Sequence, residues 1–168
     1  MSYLTKIQRD INGLIEELGD PDGLKRQKAR LLLAESGEGA VPKLLEALSD
    51  SDWHVRWEAT KALSVIQDPK SAPELVNVLN DECIDVRWAA MEALINIGRP
   101  SLIPLFEELL EKFDSPIMRE GAYHILHVLK DKGELRKEEL DVFRAFEGLG
   151  SEAKVAWAAK SALDIMEK

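Results

Sequence analysis

Apolar side chains recur every three or four residues along most of this chain, which is the spacing of amphipathic α-helices that bury one face. The segment 53–66 shows the pattern clearly on a helical wheel. One side of that wheel holds the apolar residues Val55, Ala59, Ala62, Leu63 and Ile66. No convincing alternation of apolar and polar residues, which would indicate β-strands, is found along the sequence. The pattern therefore predicts an all-α protein.

Turn-forming residues divide these stretches into ten predicted helices. The breaks contain glycine, proline and capping residues, as in segments 19–22 and 98–100. The predicted helices cover residues 3–18, 23–35, 40–49, 53–66, 72–80, 84–97, 101–113, 116–130, 138–147 and 152–167. Segment 131–137, which is rich in charge, is the longest connection. Because short connections join antiparallel neighbours, we expect about five antiparallel helix pairs.

A repeat of about 31 residues runs through these helix pairs. Residues 50–63 (DSDWHVRWEATKAL) return as residues 81–94 (DECIDVRWAAMEAL), with the Val-Arg-Trp core in register. Two further positions of the repeat are marked by Arg26, Arg56, Arg87 and Arg119 and by Pro42, Pro73 and Pro104. A weaker last copy keeps Trp157 but has Ala156 in place of the arginine. Repeats of this length are typical of solenoids, in which each helix pair must stack on its neighbours to bury its apolar face.

The motif Asp-x-Asp-x-x-Val-Arg-Trp-x-Ala-x-x-Ala-Leu at 50–63, its copy and the spaced prolines resemble the HEAT-like repeats of the phycobilisome-lyase type. The resemblance covers residues 20–130 well and residues 131–168 weakly. It implies an α-α superhelix, a HEAT-like α-solenoid formed by one array over residues 1–168. The repeats are expected at about 3–36, 40–67, 71–97, 100–130 and 137–167.

The resemblance also gives the repeated arginines a structural role. It implies that each arginine bridges to a nearby aspartate and locks one repeat to the next, a role that suits the geometry of the guanidinium group. The residues expected in these bridges are Arg26, Asp52, Arg56, Asp81, Arg87 and Arg119. The alternative is a positive stripe that binds phosphate groups, which fits poorly with a net charge of −9.

The tryptophans carry the main functional hypothesis, because all four point away from the predicted core on helical wheels. In the resembled fold, this side of the second helix lines the concave surface, where Trp57 and Trp88 would be neighbours. Large exposed aromatic side chains are typical of binding hot spots, although such rings can also simply seal neighbouring helices. The partner-binding residues expected on this face are Trp53, His54, Trp57, Glu58, Lys61, Asp85, Trp88, Glu92, Glu120, His124 and Trp157.

Composition narrows the possible functions. The acidic net charge argues against non-specific binding to nucleic acid or anionic membranes. No apolar run approaches the roughly 18 residues of a membrane span, and residues 1–6 lack the features of a signal peptide. The single cysteine, Cys83, allows no internal disulfide, so a reduced cytoplasmic setting is expected. The chain is expected to be a monomer or a weak oligomer.

The sequence therefore favours a non-catalytic scaffold that binds a protein or peptide in a concave groove, without a cofactor. A bilin-lyase-like or lyase-chaperone subunit is the alternative, and it rests on the resemblance alone. A DNA-binding repeat protein is disfavoured by the acidic charge. A metal-binding enzyme is also less favoured: Glu120, His124 and His127 share one face of helix 116–130, but such polar residues more often form a solvated surface.

Overall fold

The structure is a computed structural model that describes residues 11–147 and 152–167, and its regular elements are helical throughout these ranges. Helix α1 comprises residues 11–17 of the described part, and residues 3–10 of the predicted first helix lie outside it. The other helices are α2 (Gly23–Glu35), α3 (Val41–Ala47), α4 (Trp53–Ile66), α5 (Ala72–Val78), α6 (Ile84–Ile97), α7 (Leu102–Glu111), α8 (Pro116–Asp131), α9 (Lys137–Glu147) and α10 (Glu152–Met166). From α2 onward the predicted boundaries agree with these within two residues, and the all-α prediction is confirmed.

Polar residues fix where the second helix of a pair begins. The side chain of Asp52 accepts a hydrogen bond from the N–H of His54 at 2.9 Å, and Asp22 and Ser115 cap α2 and α8 in the same way. Such a cap satisfies one of the N–H groups that have no partner within the helix. Short 3-10 turns precede α3, α5 and α7, and prolines occupy the first turns of α3 and α5. These local signals explain why the boundaries are readable from sequence.

The helices stack in two rows. The second helices α2, α4, α6 and α8 pack against one another in order, while the first helices α5 and α7 pack side by side. Contact within the second-helix row is the more extensive, as expected for the inner side of a curved array. One leucine from each second helix is completely buried at the same repeat position: Leu33, Leu63, Leu94 and Leu126. No helix in the described ranges is long and apolar enough to cross a membrane.

The last helix pair reverses this order. Helix α9 packs beside α8 in the second-helix row, and α10 packs against α7 in the first-helix row. The sequence repeat predicts the opposite, because residues 155–163 resemble a second helix. Two contacts hold α9 in its place: Phe143 stacks on Tyr123 of α8 with ring centroids 5.5 Å apart, and the buried Glu139 pairs with Arg99 at 2.7 Å.

The connection from α8 to α9 turns the chain back along α8. Gly133 has a φ of +73°, a left-handed conformation that favours glycine. Its N–H donates to the carbonyl of Lys130 at 2.9 Å, and the N–H of Glu134 donates to the carbonyl of Leu129 at 2.9 Å. This pair of hydrogen bonds is the Schellman motif that commonly ends a helix. Helix α9 consequently returns antiparallel to α8.

One arginine in each of three repeats holds the turn that precedes its helix. Its Nη1 donates at 2.8 Å to the carbonyl oxygen of the aspartate six positions earlier, from Arg26 to Asp20, from Arg56 to Asp50 and from Arg87 to Asp81. The next carbonyl along the chain accepts from the same Nη1 at 3.2–3.3 Å. These carbonyls follow the end of a first helix, where backbone acceptors lack partners within the helix. The arginine therefore fixes the turn inside each pair.

Arg56 also bridges to the following repeat. Its Nε and Nη2 bind the two carboxylate oxygens of Asp81 at 2.7 and 2.9 Å, and both side chains are only 8% exposed. Burial alone would raise the pKa of Asp81, but hydrogen bonds from Arg56 and from the N–H of Cys83 outweigh it and leave that pKa below its ordinary value. The hydrogen bond with Asp81 likewise raises the pKa of Arg56. This pair has the geometry that the resemblance implies.

The other arginines use different partners. Arg26 lies 3.7 Å from Glu58 of the next repeat, whereas Asp52, the aspartate expected to bridge, caps α4. Arg119 reaches Glu152 of α10 at 3.2 Å, and both of these side chains are partly exposed. The repeated arginine thus donates to its own turn in three repeats, whereas its bridge to a neighbouring repeat varies.

Replacement of Arg56 by methionine is expected to lower the free energy of unfolding by about 3–5 kcal/mol, because it strands the buried carboxylate of Asp81. Urea denaturation followed by circular dichroism measures the change. Arg119→Met is the matched control, and it should change stability by less than about 1 kcal/mol because its ion pair is partly exposed. Equal losses of stability in the two variants would show that burial of the Arg56–Asp81 pair does not determine its contribution to stability.

Candidate functional site

Helices α4 and α6 are buried around most of their circumference, so each leaves only a narrow strip of accessible side chains. The strip on α4 contains Trp53, Trp57 and Lys61, and the strip on α6 contains Trp88 and Glu92. The two strips are joined by an ion pair in which Lys61 donates to Glu92 at 2.7 Å. We call the surface formed by these strips and the accessible side of α8 the inner face.

Trp57 is the most enclosed tryptophan of the inner face. Its ring packs against the core, and the guanidinium carbon of Arg30 lies 5.6 Å from the ring centroid. Arg30 also donates to Glu58 at 2.7 Å. Glu58 is only 2% exposed, so the structure places it in the interior between Arg26 and Arg30 rather than on the surface where the sequence predicted it. A carboxylate that neutralises two arginines in this way is not available to a partner.

The start of α4 presents a second aromatic group. The rings of Trp53 and His54 stack with centroids 3.9 Å apart, and Nδ1 of His54 lies 3.0 Å from the Asp52 carboxylate. Trp53 is 39% exposed. The equivalent positions of α6 are Ile84 and Asp85, which are both exposed. The first turn of each helix therefore presents one apolar and one polar side chain at the surface.

A cleft of about 220 Å³ opens between α6 and α8 on the inner face. Its buried lining consists of Leu79, Met91 and Gly121. On one side, Trp88 meets His124 edge-on with ring centroids 5.1 Å apart. The remaining lining residues are Ile84, Arg87, Ile117, Glu120 and Tyr123. The cleft brings together three predicted residues, Trp88, Glu120 and His124.

The apolar rim of the cleft was missed at the level of sequence. Trp88 is 49% exposed, and beside it Ile84 and Ile117 are 57% and 45% exposed. Only Trp88 was among the predicted binding residues. The available signal was that Ile84 and Ile117 occupy, in their own repeats, the helix-start positions of Trp53 and His54. Large apolar side chains exposed side by side are typical of interaction surfaces.

Gly121 sets the depth of the cleft. It lies in the middle of α8, where glycine is less favourable than alanine by about 1 kcal/mol. A Cβ atom at this position would lie 3.6 Å from Leu79 and 3.8 Å from the sulfur of Met91, which is ordinary van der Waals contact. Alanine would therefore fit, and core packing does not require glycine here. The missing side chain leaves space at the bottom of the cleft.

The position of His124 beside Trp88 disfavours the protonated form of its imidazole ring. Burial lowers its pKa below the ordinary value, and the nearby His127 acts in the same direction. A neutral ring can pack edge-on against Trp88 without the penalty of burying a charge. The cleft wall formed by these two rings is consequently more apolar near neutral pH than in acid.

The weak candidate for a metal site, Glu120 with His124 and His127, does not assemble. Across residues 11–147 and 152–167, no group of three or more His, Cys, Asp or Glu side chains is placed to hold a metal ion. His127 Nδ1 instead lies 3.4 Å from Asp131, and His124 contacts Trp88.

Trp157 does not join the inner face. Because α10 packs against α7, Trp157 lies on a surface at the end of the array, next to Ala158, Ala162 and Ile165. It is 74% exposed there. The predicted alignment with Trp88 depended on the regular helix order, which the last pair reverses.

Gly121→Ala is expected to raise the free energy of unfolding by about 0.5–1 kcal/mol, since alanine favours the helix and makes only ordinary contacts. Urea denaturation measures this gain. Gly133→Ala is the opposite control: it should destabilise the protein because alanine is strained at a φ of +73°. A loss of stability in Gly121→Ala would mean that the core needs glycine at this position.

The titration midpoint of His124, followed by NMR of its ring protons, is expected below its ordinary value of about 6.5. Because this pKa is lowered on folding, the unfolded chain binds the proton first as the pH falls, and stability declines from about pH 7 down through the folded pKa. Trp88→Ala should move the midpoint back towards 6.5 by letting water reach the ring. A wild-type midpoint at or above 6.5 would contradict the burial described here.

Comparison with known proteins agrees with this architecture. A chain in the complex of CpcE and CpcF of phycocyanin lyase from Nostoc sp. PCC7120 superimposes with a TM-score of 0.61 at 22% identity, over 92% of this chain and 98% of that chain. A designed armadillo repeat protein in complex with the peptide (KR)4 gives a TM-score of 0.41 at 20% identity, over 92% of this chain and 86% of that one. At 22% identity, the similarity to the phycocyanin lyase chain is one of fold alone. Comparison with curated proteins gives no significant match.

The family described as HEAT repeats matches residues 11–83 and residues 72–164. Together these matches span nearly all of the described helices, including the reversed last pair. They confirm the repeat architecture that the spacing of arginines and prolines predicts, and the chain belongs to the HEAT repeat family.

Proposed function

We propose that this protein is a non-catalytic interaction scaffold that binds a protein or peptide on its inner face. The observation that carries this proposal is the cleft between α6 and α8, where Trp88, Ile84 and Ile117 are exposed around a buried apolar lining. An apolar centre with a polar rim is the composition of a protein-binding hot spot. The HEAT repeat fold supports the proposal because such arrays present extended surfaces to their partners.

The size of the cleft indicates what enters it. A volume of about 220 Å³ holds about seven water molecules. That space admits an apolar side chain of a partner rather than a whole helix or strand. Displacement of this water from an apolar lining, together with contact to the Trp88 ring, would supply most of the affinity.

Polar groups around the cleft would orient the partner. Arg87 and Glu120 line the cleft, and the ion pair of Lys61 with Glu92 lies on the same face. Both members of this ion pair are partly exposed, so it contributes little stability but can exchange partners on binding. Mixed charge of this kind fixes the register of a bound segment more than its affinity.

A second candidate function is a subunit related to a bilin lyase. The observation that favours it is the match to a chain of the phycocyanin lyase complex, which extends over 98% of that chain. This candidate predicts that the protein binds a bilin, alone or with an acceptor protein. Titration with a bilin, followed by its visible absorbance, tests the idea, and an unchanged spectrum in both cases would remove it.

Trp88→Ala is expected to weaken partner binding by at least about 2 kcal/mol, or roughly 30-fold, because the ring forms the exposed wall of the cleft. A peptide selected from a display library against the wild-type protein serves as the probe, and calorimetry measures its affinity. Gly121→Ala should weaken binding while raising stability, since it fills the bottom of the cleft.

Trp157→Ala is the matched control, because this tryptophan is more exposed than Trp88 but lies off the inner face. It should leave the affinity for the peptide unchanged. Undiminished affinity in a Trp88→Ala variant that keeps its helical circular dichroism would rule out the cleft as the binding site.

A further inference from the structure

Arg87 differs from the other repeated arginines because no carboxylate binds it. Arg26, Arg56 and Arg119 lie 3.7, 2.7 and 3.2 Å from a carboxylate oxygen of another repeat. Among the residues that the structure describes, no carboxylate oxygen lies within 4.0 Å of a guanidinium nitrogen of Arg87. This charge is therefore left without a direct partner on the wall of the cleft, which Arg87 lines.

The sequence explains why this partner is missing. An aspartate stands six residues before the repeated arginine in the first three repeats, and Asp81 is the one that Arg56 binds from the preceding repeat. In the fourth repeat the same position holds Phe113, which has no acceptor in its side chain. The next residue, Asp114, is exposed and forms no ion pair with Arg87. Arg87 would take its acceptor from this fourth repeat, so the chain itself does not supply one.

The open edge of Arg87 is the edge with which Arg56 binds its carboxylate. In both arginines, Nη1 donates to two carbonyls of the preceding turn. Arg56 uses Nε and Nη2 for the two carboxylate oxygens of Asp81, at 2.7 and 2.9 Å. In the described part of the chain, the same two atoms of Arg87 have no hydrogen-bond partner and are not among the buried polar atoms that lack one. They are therefore accessible to a carboxylate from outside the chain.

We propose that this edge of Arg87 binds the side-chain carboxylate of an aspartate or glutamate in the partner segment whose apolar side chain occupies the cleft. The inference rests on the proposed function and adds the chemistry of the partner to it. Ile84 and Trp88 line the cleft from the same helix as Arg87, so one short segment can contact the apolar and the charged groups together. A bidentate pair between guanidinium and carboxylate is both strong and directional.

Glu120 limits how such a segment can lie. It lines the cleft from α8, opposite Arg87 on α6, and it is exposed. A second carboxylate near it would be repelled, whereas a lysine or arginine would be attracted. We therefore expect an acidic residue on the α6 side of the apolar side chain and a neutral or basic residue on the α8 side. The net charge of −9 opposes an acidic partner mainly at long range, where salt screens it.

A carboxylate-to-amide replacement in the partner tests the inference without altering the protein. The probe is a peptide selected from a display library against the wild-type protein and synthesised with both termini blocked. Replacing its acidic residue by the matching amide, Glu by Gln or Asp by Asn, should weaken binding about tenfold in calorimetry, because the shape is kept and the charge is lost. Selected peptides without an acidic residue beside the apolar anchor, or an amide peptide that binds as tightly, would overturn the inference. Binding that is lost when the terminal carboxylate is blocked would overturn it as well.

Arg87→Met tests whether the carboxylate is bound at this arginine. On this variant the acidic and the amide peptide should bind with equal affinity, since neither has a guanidinium to meet. Arg87 also holds the turn before α6, so circular dichroism checks the fold, and the ratio of two affinities on one variant cancels any general loss of binding. Arg119→Met is the matched control, because Arg119 has the same repeat position but pairs with Glu152, and the tenfold ratio should persist there. A tenfold ratio that persists in Arg87→Met would contradict the inference.

The outcomes separate this inference from the proposed function. If Trp88→Ala weakens the peptide but the amide replacement does not, the cleft remains the binding site and only the role of Arg87 is lost. If neither change weakens binding, the cleft itself is not the site and both proposals fail.

Discussion

The hydrogen bonds from a guanidinium group to the carbonyls of the preceding turn are the interaction on which the array depends. Arg26, Arg56 and Arg87 make them with the same length of 2.8 Å, so the same turn geometry is copied from pair to pair. Arg56 additionally forms an ion pair with the buried carboxylate of Asp81 in the next repeat. The side chains that meet across the second-helix row, such as Lys61 and Glu92, do so because this geometry is repeated.

Two tryptophans at one repeat position acquire different properties from their neighbours. Trp57 is partly covered by Arg30 from α2 and helps to seal the core. Trp88 borders a cleft with Gly121 at its bottom, and its ring remains half exposed. The sequence left open whether these rings seal neighbouring helices or remain accessible to a partner. In the structure, the ring of Trp57 does the first and the ring of Trp88 does the second. The repeat determines where each tryptophan lies, and the neighbouring helix determines whether its ring is covered or accessible.

The sequence predicted what depends on local signals. Helix boundaries follow from apolar periodicity, turn residues and caps such as Asp52, and the period of the arginines gave the repeat. It could not predict the burial of Glu58, because that depends on Arg30 in a neighbouring helix. It also missed the order of α9 and α10, which is decided by Phe143 against Tyr123 and by Glu139 with Arg99, contacts between residues far apart in the chain.

The reversed last pair changes how the chain can fold. In a regular array the first helix of a pair rests on the first helix of the pair before it, and only one helix lies between the two along the chain. Helix α10 instead rests on α7, and the segment between them contains both α8 and α9. The loop closed by this contact is longer than one repeat, and its entropic cost is recovered only when α8 and α9 are already in place. We therefore expect α10 to dock after α8 and α9 have folded.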